Sequence, residues 1–149
     1  MGIRDLTLQD RMWIKATPDR VWAVMVDIRR WPEWNRACIR VGDFQGKPST
    51  VGFRFSMVLR MAKAPVPFHP AVTEVDAPRK IVWSSTQASV TGERTFTLER
   101  IDDGTLITDT KRFTSPVLPL RAFYPRPVIA RMSRTWLTSL KAEAERVGR

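Results

Sequence analysis

The sequence predicts an α+β domain in which a curved antiparallel sheet of about six to seven strands wraps around a long C-terminal α-helix. Three observations carry this expectation. A Thr17-Pro18 helix start follows the first alternating segment, period-two alternation begins at Cys38 and persists through most of the chain, and from Pro127 onward the apolar residues recur once per helical turn. A chain of 149 residues has the size of one domain, 1–149, with one sizeable core.

The elements follow in order. In 11–16, Met12, Ile14 and Ala16 share one face and Trp13 and Lys15 the other, as in a strand. Thr17 supplies an N-cap hydroxyl, and Pro18 at the first helical position has no amide proton to leave unsatisfied. Val21, Trp22, Met25 and Ile28 then mark a short amphipathic helix, and Pro32 forces a break or a second short helix. Turn signals at Gly46-Lys47-Pro48, Asp76-Ala77-Pro78 and Asp102-Asp103-Gly104 divide the following meander. Its clearest strand is 51–61, with Val51, Phe53, Phe55, Met57, Leu59 and Met61 on one face. Prolines at 65, 67 and 70 confine 64–70 to a loop or an edge. Strands are expected at about 71–76, 79–86, 89–101 and 105–114. In the last helix Val128, Ile129, Met132, Trp136, Leu137, Leu140 and Ala144 fall on one half, with Arg131, Arg134, Thr138, Lys141 and Glu145 opposite.

Composition sets limits on function. With 43% hydrophobic and 27% charged residues and no apolar run near the roughly 20 residues of a membrane span, the chain reads as globular. The N-terminus lacks the apolar core of a secretory signal, and Leu6 stands where N-myristoylation needs Ser or Thr, so the expected address is cytoplasmic. One cysteine, Cys38, and one histidine, His69, leave no internal disulfide and no Cys- or His-rich metal cage; no metal and no cofactor are expected. Gly-rich phosphate loops, Gly-x-Ser-x-Gly elbows and His-Glu-x-x-His helices do not occur. The net charge of +10 favours peripheral contact with anionic surfaces, yet the basic residues are dispersed and no exposed aromatic platform accompanies them, so no specific nucleic acid is expected.

Local residues agree with one known pattern. Ile14 to Trp22 resembles the opening strand and Ala-x-Pro-x-x-Val-Trp helix entry of the START-like or SRPBCC superfamily, and Asp27 to Trp34 its Asp-x-x-x-Trp-Pro-x-Trp continuation. Val72 to Asp76 with Lys80 to Trp83 resembles that family's fourth and fifth strands, and Gly92 to Glu99 its sixth. The branch it looks most like is the polyketide cyclase/dehydrase and lipid transport group. The resemblance spans nearly the whole chain and implies the helix-grip fold. It also implies a hydrophobic cavity between sheet and helix for lipids, polyketides or other apolar ligands. A carrier or sensor is the leading expectation; a metal-free polyketide cyclase or dehydratase is the alternative, and a basic protein- or membrane-docking module without ligand the third.

The implied ligand-binding wall comprises Phe53, Phe55, Met57 and Leu59 on the third strand, with Trp83, Phe96 and Leu98 on later strands. Val128, Met132 and Trp136 face it from the helix. The same residues also suit a solid core. Arg94 shares the inward phase of Phe96 and Leu98 and wants an anion, either a ligand carboxylate, phosphate or enolate or an internal carboxylate such as Glu74; otherwise it reaches solvent from the strand end. Glu74 shares the phase of Val72 but not of Val75, so only a bulge fixes its direction; inward, it is a candidate general base. His69 is by default an exposed loop residue and, at a cavity mouth, a candidate acid or base. Tyr124, the one tyrosine, offers either a hydroxyl to ligand or packing. The segment 115–127, just before the long helix, is a candidate lid.

Overall fold

The computed structural model describes residues 5–62, 64–120 and 124–147. Strand β1 (Asp5–Ile14) leads into helix α1 (Pro18–Val26), a 3-10 turn (Ile28–Arg30) and helix α2 (Trp31–Trp34). Strands β2 (Cys38–Gln45), β3 (Arg54–Met61), β4 (Ala64–Phe68), β5 (Ala71–Asp76), β6 (Lys80–Gln87), β7 (Val90–Ile101) and β8 (Gly104–Thr114) follow, and helix α3 (Arg126–Val147) closes the chain's described part. The eight strands among the described residues form one antiparallel sheet in the order β1-β8-β7-β6-β5-β3-β2, with β4 paired to β3. The sheet curls around α3, whose buried residues include Ile129, Met132, Trp136, Leu137, Leu140 and Ala144.

The helix start at Thr17 forms as its chemistry dictates: the hydroxyl accepts the Arg20 amide at 3.3 Å and Pro18 occupies the first turn. Pro32 likewise sits in the first turn of α2, so the chain restarts after Asp27 instead of continuing one helix. This places Trp31 fully inside, its indole N–H donating to the Met25 carbonyl at 2.9 Å. Trp31 meets Trp136 edge-on at 4.8 Å and Phe55 at 5.6 Å, and Trp83 and Phe96 join the same cluster. Rings packed edge to face at these distances add roughly 0.5–1.5 kcal/mol per pair beyond area burial.

Several boundaries differ from the sequence expectation. β1 begins at Asp5, six positions before the expected start, because β8 is long enough to pair with it from Asp5 opposite Thr114 to Ile14 opposite Thr105. β3 starts at Arg54: Gly52, at φ 93°, turns the chain, and Val51 is 63% exposed instead of facing inward. Of the two places expected for the proline-rich stretch, a loop or an edge, it takes the edge: β4 among the described residues pairs only with β3. On α3, Lys141 and Glu145 are half-buried, Lys141 capping the Trp13 carbonyl at 3.0 Å while Glu145 accepts the Lys15 amide at 2.9 Å. At the β7–β8 hairpin a Cβ on Gly104 would lie 2.4 Å from the Ile14 carbonyl oxygen and 2.5 Å from the Trp13 ring, so only glycine lets β1 close on β8 there.

No helix among the described residues is long and apolar enough to cross a membrane.

Candidate functional site

Sheet and helix do not fill the whole interior. The aromatic cluster packs solidly around the middle of α3, while near its N-terminal end a pocket of about 470 Å³ remains. Inward-facing Met57, Leu59 and Met61 of β3 and Val66 and Phe68 of β4 form one apolar wall, and Val128, Ile129 and Met132 of α3 form the facing one. Trp83 of β6 lies at the junction with the core. Gly92 permits the last wall: a Cβ there would come within 3.2 Å of the Phe113 ring, which instead lies directly over the β7 backbone.

Set into this apolar surface is a buried ionic cluster. Alternation along β7 and β8, joined by the tight turn at Asp102-Asp103, points Arg94, Asp109 and Lys111 to the same inner face, with Lys111 directly opposite Arg94. Arg94 grips Asp109 with two parallel bonds, Nε to Oδ1 at 3.0 Å and Nη2 to Oδ2 at 2.7 Å. Lys111 Nζ donates to Asp109 Oδ2 at 2.8 Å, and Ser133 of α3 donates its hydroxyl to the same oxygen at 2.7 Å. Lys111 and Ser133 are also hydrogen-bonded to each other. The guanidinium of Arg94 lies 4.0 Å from the Trp136 ring centre and 4.6 Å from that of Phe96. Arg94 and Lys111 line the pocket, and Asp109 and Ser133 stand behind them.

The electrostatics of the cluster are lopsided. Asp109 is completely buried, which pushes its carboxyl up, but the charges and hydrogen bonds of Arg94 and Lys111 outweigh that and hold it down at about 2. For Lys111, burial and then the neighbouring Arg94 charge push the ammonium down to about 7, against the pull of Asp109 and of Asp10 on β1. Burial alone raises the Tyr124 hydroxyl, whose ring packs against Phe113 at 5.0 Å. Cys38 is buried away from the pocket, its thiol pushed up to about 11.

Among the residues singled out from sequence, Met57, Leu59, Trp83, Arg94, Val128, Met132 and Tyr124 line the pocket. Phe53, Phe55, Phe96, Leu98 and Trp136 do not: all five belong to the buried core, the aromatic ones packed ring against ring. Arg94 faces inward, but its partner is Asp109 and not Glu74. A bulge between Val72 and Glu74 turns Glu74 outward, where its side chain is 54% exposed and pairs with Lys80 at 3.0 Å; it is not available as a base in the pocket. His69 is exposed and absent from the pocket wall, its flanking Phe68 and Pro70 turning inward instead. Of the candidate lid at 115–127, residues 121–123 lie outside the described residues; Ser115 accepts the amides of Val117 and Leu118 at 3.2 and 3.0 Å. Lys111, Asp109 and Ser133 were not among the sequence candidates.

A second, more polar groove of about 1000 Å³ runs between α2 and α3, rimmed by Arg36, Arg60, Arg134 and Arg146. Arg134 and Arg146 are already paired, with Asp10 and Glu143, and the Arg60 Nε donates to the Arg36 carbonyl.

Solved structures share this architecture. The aromatase/cyclase Zhui from Streptomyces sp. R1128 superposes with a TM-score of 0.82 at 17% identity, over 97% of this chain and 96% of that one. A START superfamily protein from Mycobacterium smegmatis gives 0.76 at 15%, covering 95% and 98%. The di-domain ARO/CYC StfQ from the steffimycin biosynthetic pathway gives 0.80 at 16%; it covers 99% of this chain, which spans 53% of that longer one. At these identities the likeness is one of fold. No curated protein matches the chain in sequence. The model of one family, however, matches residues 6–145, nearly the whole length. The chain therefore belongs to the polyketide cyclase/dehydrase and lipid transport family.

Proposed function

We propose that the protein binds an apolar small molecule of lipid, polyketide or aromatic type in the pocket at the N-terminal end of α3, as a carrier or sensor. One observation carries this reading: about 470 Å³ of space bounded by methionine, leucine, valine and phenylalanine side chains, beside a core that is otherwise closely packed. An unfilled apolar wall forfeits the dispersion contacts that a packed interior makes, and a ligand restores them. Methionines at 57, 61 and 132 give the wall a surface that adapts to ligand shape. The size falls within the usual range for small-molecule sites.

Native mass spectrometry of protein purified from its own host, followed by denaturation and identification of what is released, tests the proposal. A stoichiometric apolar compound supports it. Protein that is ligand-free and also fails to take up a fluorescent apolar probe counts against it.

The cyclase reading is favoured by a separate observation, the ionisable Lys111 and Tyr124 on the same wall. In that case the pocket folds a flexible chain and these groups move protons. Turnover of a polyketide-like substrate that Lys111→Met abolishes, with binding retained, distinguishes enzyme from carrier.

A further inference from the structure

The buried cluster holds two cations and one carboxylate. Asp109 Oδ2 already receives three donors, from Arg94, Lys111 and Ser133, and Oδ1 a fourth from Arg94, so its single charge is shared between two cations. Lys111 has three protons to donate and, among the described residues, two partners, Asp109 and Ser133. Among the other described charged groups nearby, Asp10 adds to the pull of Asp109 on Lys111 but is shared with a cation of its own. Asp10, inward on β1, is paired with Arg134 of α3 at 2.6 Å. Glu93, next to Arg94 on β7, takes the opposite phase and is exposed, with Arg112 of β8 facing it across the ladder. Among the described residues, Glu93 also borders the pocket and Tyr124 is the other titratable group of its wall, while His69 lies outside. Among the described residues, the buried side chains of the pocket wall therefore carry a net positive charge, at an ammonium with an unused proton.

We propose that the pocket selects amphipathic acids, an apolar body held between β3 and α3 and a carboxylate set against Lys111. This rests on the ligand-binding reading above and names its ligand class. A carboxylate entering here replaces lost hydration of the ammonium with a charge-assisted hydrogen bond in a site of low dielectric, whereas a neutral head group leaves the charge uncompensated. The free protein resolves the same imbalance by releasing the Lys111 proton near neutrality, since burial and Arg94 disfavour the charged form. The carboxylate holds that proton in place. Above about pH 7 binding the acid thus takes up a proton, and its affinity falls by up to about tenfold per pH unit.

Displacement of Nile red by decanoate and by decanol, measured at about pH 6 and about pH 9, tests this. The expected result is that decanoate binds roughly ten- to a hundredfold more tightly than decanol at the lower pH and loses that advantage at the higher one. Lys111→Met, shown to be folded by its circular dichroism and cooperative urea unfolding, is expected to bind decanoate and decanol alike at either pH. Decanol binding without a preference for the acid, or a preference that survives Lys111→Met, overturns the inference and leaves the apolar-ligand reading intact. Failure of Nile red and of both decyl compounds to bind overturns both.

Discussion

Replacing Lys111 with methionine should stabilise the ligand-free protein, and by less as the pH rises. The ammonium is nearly inaccessible, with 4% of its side chain exposed, and its acidity lies at about 7 in the folded chain against 10.5 in an ordinary lysine. Because the folded form binds the proton more weakly, the unfolded chain carries more protons between those two values, so wild-type stability rises with pH across that window. Below about pH 7 the penalty is fully present, roughly 4–5 kcal/mol at 1.36 kcal/mol per decade of acidity. By about pH 10 all but roughly 1 kcal/mol of it is gone. Methionine, of similar length and without charge, leaves Asp109 its two bonds from Arg94 and removes the titration altogether. Urea unfolding of both proteins from about pH 6 to 10 should therefore give stability curves that converge by roughly 4 kcal/mol. Parallel curves would refute the reasoning, because they would mean that Lys111 titrates alike in folded and unfolded chains.

The remaining predictions concern groups whose surroundings differ. Asp109→Asn keeps the shape but strands two buried cations, and urea unfolding at neutral pH should register a loss of roughly 3–5 kcal/mol; an effect below about 1 kcal/mol would contradict the network. In the parent, the contribution of Asp109 is present above the ordinary carboxyl value of 3.8 and should disappear as the pH falls through about 2, visible as an acid transition that Asp109→Asn lacks. Gly104→Ala drives a methyl against the Ile14 carbonyl and the Trp13 ring, so thermal unfolding should show a loss of at least about 1–3 kcal/mol, and unchanged stability would mean that β1 does not close there. Glu74→Ala, at an exposed pair, should change stability by less than about 1 kcal/mol and leave probe binding unaltered; a large loss of binding would put Glu74 back in the site.

Most of the sheet was legible because period-two alternation is written into it: β5 to β8 lie within a residue or two of their expected spans. The start of β3 was not, since the alternation of Val51 and Phe53 continues through a turn that only the positive φ of Gly52 reveals. Glu74 was undecidable for a similar reason, the extra residue at Thr73 shifting register in a way no periodicity announces. The cluster had a usable signal that alternation masked. Along β8 the inner face reads Thr105, Ile107, Asp109, Lys111 and Phe113, as polar as the outer face of Leu106, Thr108, Thr110 and Arg112, so its phase cannot be told from hydrophobicity. Counting back from the turn at Asp102-Asp103 instead pairs Lys111 with Arg94 and Asp109 with Phe96, which brings all three charges together. The division of the apolar face into core and pocket had no such signal. Phe55 and Leu59 share one phase of one strand, yet one packs against Trp31 and the other faces open space.

That division also decides which cation can meet a ligand. Arg94 looks from sequence like the anion-binding group, being inward and planar. In the fold its guanidinium is bonded to both oxygens of Asp109 and lies over the rings of Trp136 and Phe96, which are themselves fully buried. Freeing it for a ligand would leave Asp109 with Lys111 as its sole cation and would break contacts with the best-packed part of the molecule. Among the described residues Lys111 has no ring contact of this kind, and the bonds it makes, to Asp109 and Ser133, can persist while its third proton meets an incoming carboxylate. Arg94 thereby acts through its neighbour: burial first, and then its fixed charge, held in place by Asp109 and the two rings, make the Lys111 proton weakly held, which is why an acid ligand is expected to bind with proton uptake.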